Sequence, residues 1–103
     1  MAFASGPAMA TPRNGCAAVA LDEYRVMVAG GESSPGQSLS TTEILDVRTM
    51  SFAPGPSMGS ARCFCSALQV DAQHVLIIGG EGSSDTALAT TELLDVATME
   101  FEP

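Results

Sequence analysis

The chain repeats itself after 49 residues, and the two copies align without a gap. Gly30-Gly31-Glu32 returns as Gly79-Gly80-Glu81. Thr41-Thr42-Glu43-Ile44-Leu45-Asp46-Val47 returns as Thr90-Thr91-Glu92-Leu93-Leu94-Asp95-Val96, and Thr49-Met50-Ser51-Phe52 as Thr98-Met99-Glu100-Phe101. The opening Phe3-Ala4-Ser5-Gly6-Pro7-Ala8-Met9 matches Phe52-Ala53-Pro54-Gly55-Pro56-Ser57-Met58. About half of the aligned positions are identical. Whatever structure one copy takes, the other takes too, and a period of about 50 residues is the mark of a repeat architecture.

Each period reads as strands. Cys16 to Leu21 is a short apolar run closed by the polar Asp22-Glu23, and Arg25 to Ala29 is a second run stopped by the glycine pair. In the second copy that run is His-Val-Leu-Ile-Ile, richer in β-branched residues and so better suited to a pleated surface. Two such runs joined by a polar turn predict a hairpin. Glu32 to Ser40 is a loop by its Ser, Gly and Pro content. Thr42 to Val47 is a third strand, Arg48 and Thr49 a turn, and Met50 to Ala53 a fourth strand. Pro54-Gly55-Pro56 stops it, because proline brings no donor to a ladder. The expected unit is a four-stranded antiparallel meander, and the fold class is all-β.

The ordered markers resemble the kelch repeat. They are Arg13, the strand after it, Gly30-Gly31, the Thr-Glu-x-Leu-Asp element from Thr42 to Asp46, and Phe52 before a Pro-rich Met turn. The second copy supplies Arg62, Gly79-Gly80, Thr91 to Asp95 and Phe101. The kelch pattern often has Tyr where Leu45 and Leu94 stand, and Trp where Phe52 and Phe101 stand. The resemblance implies two four-stranded antiparallel blades of a β-propeller, with residues 13–54 as the first repeat and 55–103 as linker and second repeat. Residues 1–12 then correspond to a remnant of a preceding blade's strand and its linker. Propellers have about 4–8 blades, so two blades close no ring. Either further blades of a longer chain or copies of this one are needed, and three copies supply six blades.

The same resemblance assigns structural roles. Gly30, Gly31, Gly79 and Gly80 belong where backbone is closely approached or φ is unusual. Phe52 and Phe101 are expected between blades. Asp46 and Asp95 precede tight turns, where their side chains can accept from nearby backbone. Glu43 and Glu92 are expected to pair with Arg62 or Arg13 across a blade boundary.

Little in the chain points to catalysis, and no cofactor is expected. There is one His, His74, and one Tyr, Tyr24, which fall in different repeats. They cannot supply the several His and Tyr ligands of the copper-oxidase kelch propellers. Cys63-x-Cys65 has no second pair to complete a zinc site, and three cysteines are too few for a disulfide scaffold. Ser33, Ser34, Ser83 and Ser84 are loop serines without an activating base. The chain is expected to be no enzyme, to bind no metal, and to reside in a reducing, cytoplasmic setting. Twelve acidic residues against four basic ones give a net charge of −8. That argues against nucleic acid, which is held by clustered cations. No apolar run approaches the roughly 20 residues of a membrane helix.

A binding surface is what remains. In a meander blade, the loop after strand two opens on the same face as the linker entering the blade. By resemblance to kelch substrate adaptors, Arg13 and Arg62 with the loop serines Ser33, Ser34, Ser83 and Ser84 are the partner-contact candidates. An inter-blade salt bridge is the competing role for the arginines, and it stands slightly ahead. The expected function is a non-enzymatic module that binds another protein or peptide. The alternatives are a piece of a larger kelch-type enzyme, or a self-associating structural unit. Val26, Val28, Val75, Ile77, Leu45, Leu94, Phe52 and Phe101 are the candidates for apolar faces left open.

Overall fold

Alternating small and branched apolar residues make the inner strands, and the computed structural model, which describes residues 2–102, places them side by side. Strands β1 (Ala17–Ala20), β2 (Arg25–Ala29), β5 (Thr42–Asp46) and β6 (Ser51–Pro54) form one sheet in the order β1-β2-β5-β6. Strands β7 (Ser66–Gln69), β8 (His74–Ile78), β9 (Thr91–Asp95) and β10 (Glu100–Phe101) form the second in the order β7-β8-β9-β10. All pairings are antiparallel. Between β2 and β5 lies a small hairpin, β3 (Glu32–Ser34) and β4 (Gln37–Ser38). The sequence reads that stretch as loop, because its Ser-Pro-Gly composition hides two residues of backbone pairing on each side of the turn. The only helical element among the described residues is a short 3-10 turn, Ser83–Asp85.

The third strand ends at Asp46 rather than Val47 and the fourth runs Ser51–Pro54 rather than from Met50 to Ala53, since the turn between them spans residues 47–50 rather than 48–49. Met50 N–H closes it onto Asp46 C=O at 2.7 Å, and Met99 onto Asp95 at 2.7 Å. Met50 and Met99 sit at φ of 54° and 57°. Residues 2–12, expected as a leftover strand and linker, include no strand, and Phe3 is fully exposed. A strand needs a neighbour to pair with, and this stretch has none beside it among the described residues.

The two sheets stack face to face, with β1 and β7 adjacent. Strand register assigns the faces. In the first blade, Met27, Ala29 and Ile44 point one way, to the rear; Val26, Val28, Leu45 and Phe52 point the other, to the front. The rear of the first blade packs on the front of the second, which carries Val75, Ile77, Leu94 and Phe101. Met27, Ala29, Val75, Ile77 and Leu94 are fully buried there. At about 1.5–3 kcal/mol per large apolar side chain, this single interface dominates the cohesion of the two sheets. Val75, Ile77 and Leu94 are therefore not open, as the sequence leaves them; they are the core. Of their first-blade equivalents Val28 is buried and Val26 and Leu45 are partly buried; at the rear of the second blade Leu76 and Leu93 are partly buried and Ile78 is exposed.

Candidate functional site

The linker entering each blade is locked by one arginine. Arg13 Nε meets Glu43 Oε2 at 3.1 Å, while its NH1 donates to the carbonyls of Gly30 and Thr41, both at 2.9 Å. Its NH2 donates to Thr41 Oγ1 at 3.0 Å. Arg62 repeats the set with Glu92 at 3.0 Å, Gly79, Thr90 and Thr90 Oγ1. Both arginine side chains are 1 % exposed. Each pair lies within one repeat, so the expected pairing across the blade boundary is corrected. The cause is local: the linker turns back over its own β5 or β9, bringing Arg within reach of the Glu 30 residues on. Their donors are thus spent within the clamps; Arg62 is fully buried, while Arg13 still lines an open cleft beside Phe52.

The glutamates do a second job. Glu43 accepts from the Ala10 and Thr11 N–H groups, and Glu92 from those of Gly59 and Ser60. Burial works against a charged Glu43, but the Ala10 N–H, the Arg13 guanidinium and the Thr11 N–H outweigh it. They hold the carboxyl below its ordinary value. This clamp was invisible as such in the sequence, because its backbone donors carry no residue signature.

The first glycine of the pair has a steric reason only where a following blade exists. Gly30 lies at φ 67°, and a Cβ there would run into the Arg62 carbonyl. Gly79, at φ 62°, would meet nothing nearer than the Leu88 carbonyl at 3.4 Å. Gly31 and Gly80 also have positive φ, 98° and 93°. Phe101 packs against the inter-blade core, as expected. Phe52, its equivalent, instead lines an open cleft of about 230 Å³ with Ala10, Thr11, Pro54 and the clamp residues Arg13 and Glu43.

At one end of the sheets the loops after β2 and β8 come together. Asn14 bridges Glu32, and Cys63 bridges Glu81, so each loop is tied to its own linker. Ser38 Oγ donates to the Glu81 carbonyl at 3.2 Å, and β4 touches the 3-10 turn. Ser33, Ser34, Ser83 and Ser84 are all exposed on this joined surface. Ser84 adopts φ 65°. Thus the structure brings the four serines to one end, while the two arginines are held in their clamps.

At the opposite end, aspartates organise the turns. Asp22 accepts from Tyr24 and Arg25 N–H, Asp71 from Gln73 N–H, and Asp46 and Asp95 from the residues after them. The backbone bonds lead in holding Asp22 and Asp71 below their ordinary value, and the Arg48 guanidinium, followed by the Arg48 N–H, does the same for Asp46. Arg25 pairs with Asp22, and Arg48 pairs with Asp46 while lying 4.4 Å over the Tyr24 ring. All four arginines are thereby paired. His74 Nδ1 bonds Asp71 at 3.0 Å, and His74, Asp95 and Glu102 offer ligand atoms within 4.8 Å of one another. Sequence distance concealed this grouping, which antiparallel register creates on the rear of the second blade. Asp95 is already engaged with the Ala97 and Thr98 N–H groups, and Glu102 is exposed. Cys16, Cys63 and Cys65 are free thiols, and burial pushes Cys65 up.

The repeated meander, the paired glycines at strand ends and the Arg–Glu clamp agree with the profile match: residues 12–59 match the family described as the Kelch motif. The chain carries a kelch repeat. The second blade repeats every kelch marker 49 residues on, in the same register. No curated protein matches the chain closely enough to count as a relative. The four-stranded blades here are two, and they form an open stack rather than a closed propeller.

Proposed function

We propose that the chain is a non-enzymatic protein-interaction module whose joined loop end holds a partner peptide. The observation that carries this reading is the convergence of two exposed, Ser-rich loops on one end of rigid sheets, a common placement for recognition. The loops spanning 32–40 and 81–89 hold three acidic residues and no basic one. With every arginine already paired, a peptide rich in Lys or Arg and hydroxyl groups suits this surface better than a nucleic acid, which needs free cations. His74 begins β8 and the loop serines follow its far end, so no imidazole stands beside them; this supports binding over hydrolysis. The three free thiols fit a reducing compartment such as the cytoplasm. No helix among the described residues is long and apolar enough to cross a membrane.

A displayed peptide library selected on the immobilised chain tests this. Enriched peptides should be basic, and Ser34→Glu with Ser83→Glu should alter their binding at least tenfold. Tyr24→Ala, at the other end, should leave it unchanged. Selection of nothing above background, or loss of binding with Tyr24→Ala alone, would sink the assignment.

A further inference from the structure

We infer that a second copy of the chain docks head to tail, the rear of one copy's second blade seating on the front of the next copy's first blade. The blade interface inside the chain is the template. Besides its apolar core it holds five backbone hydrogen bonds: Gly31 N–H to Arg62 C=O at 2.8 Å, Met58 to Ser40 at 2.8 Å, Arg62 to Leu39 at 3.0 Å, Phe64 to Gly15 at 2.7 Å, and Ser84 to Gly36 at 3.5 Å. Shifted by 49 residues, both halves of the first four recur at the open ends; the fifth does not, because Pro35 stands at the position of Ser84 and has no N–H. The front offers Met9, Arg13 and Gly15 N–H with the Arg13 C=O. The rear offers Ala89, Leu88 and Phe64 C=O with the Gly80 N–H. None of these eight groups has a backbone partner among the described residues, and unpaired backbone groups at a packed surface favour an incoming chain that satisfies them.

The side chains match in the same way. Leu21 and Ala29 are fully buried under the second blade, whereas their equivalents Val70 and Ile78 are 48 % and 37 % exposed. Phe101 is packed, whereas Phe52 lines a cleft. The front and rear thus have the two halves of one interface, already shown to fit each other within the chain. Such a contact is heterologous: it uses different patches on the two partners, and it closes into a ring when the rotation allows. Each copy adds two blades, so rings of two to four copies span the range of roughly 4–8 blades that propellers use.

Blocked variants give the test. Ala18→Glu places a charge on the exposed front of β1, and Leu68→Glu on the exposed rear of β7. Far-UV circular dichroism checks that each keeps its sheets; Ala20→Glu and Ile78→Glu replace either one that does not. By light scattering, the wild-type chain should run at a whole multiple of 10.5 kDa. Each single variant should run as a monomer. Their mixture should form a heterodimer of twice the monomer mass, because one intact rear meets one intact front. Four outcomes would overturn the inference. One is a wild-type monomer at the highest concentration reached, which would leave the faces to further blades of another chain. Another is single variants that still assemble. A third is a mixture that stays monomeric. The last is open-ended growth, which would refute the closed ring.

Discussion

At the scale of residues, the two clamps tie sequence to stability most directly. Removing one partner of a buried, hydrogen-bonded ion pair strands the other, typically at about 3–5 kcal/mol. Arg62→Ala should therefore lower the urea midpoint by an amount corresponding to about that range, since Glu92 and two strand-end carbonyls lose their donor. Glu43→Gln is sharper because its effect depends on pH. The folded-state carboxyl is held below a glutamate's ordinary 4.5. Its contribution is therefore present above that value and lost as pH falls through the depressed one. The stability gap between wild type and Glu43→Gln should be full near about pH 6 and shrink toward about pH 3, measured by urea unfolding at each pH. A gap that widens on acidification would contradict the clamp. The clamp's residues were legible as markers, but their pairing was not: sequence shows that Arg13 and Glu43 matter, while only the linker's path decides which glutamate each arginine meets.

Among elements, equivalent positions in the two repeats separate what a residue is from what lies against it. Gly30 and Gly79 share a left-handed φ, but only Gly30 has the next linker's carbonyl where a Cβ would go. Gly79→Ala should cost about 1–2 kcal/mol from backbone strain alone. Gly30→Ala should cost clearly more, because its Cβ meets backbone that cannot yield without breaking the inter-blade bonds. Comparing the two urea midpoints checks this, and equal costs would mean that the linker shifts freely. Likewise Met27→Ala should cost about 2–5 kcal/mol, with Leu76→Ala costing less in the monomer. The strands themselves were readable from apolar runs and turn residues, because the local rules agree with the fold at those points. Which face each side chain joins was not readable, since Val26 and Val75 are the same residue in the same repeat position. Only the presence of a blade in front of Val75 buries it. The loop hairpin also escaped notice, as its pairing is carried by backbone in a stretch whose side chains signal only turns.

For the whole molecule, charge opposes what the backbone and apolar faces favour. Each copy carries −8, so bringing two together sets like charge against like. Much of that charge sits on exposed turns and loops, where it is screened beyond about 8 Å at physiological salt. Head-to-tail docking instead gains from burying Leu68, Val70 and Ile78 and from pairing eight backbone groups, neither of which salt screens. Association should therefore tighten as sodium chloride rises from about 20 mM to about 500 mM, as the Debye length falls severalfold. Sedimentation velocity at fixed protein concentration would show it as a shift of mass toward the assembled species. The rear-blocked Leu68→Glu chain should show no such shift, which separates specific docking from the general loss of solubility that salt can cause. Assembly that dissolves with added salt would mean that ion pairs hold the copies together, and the shared geometry of the internal and external interfaces would then not be what drives them.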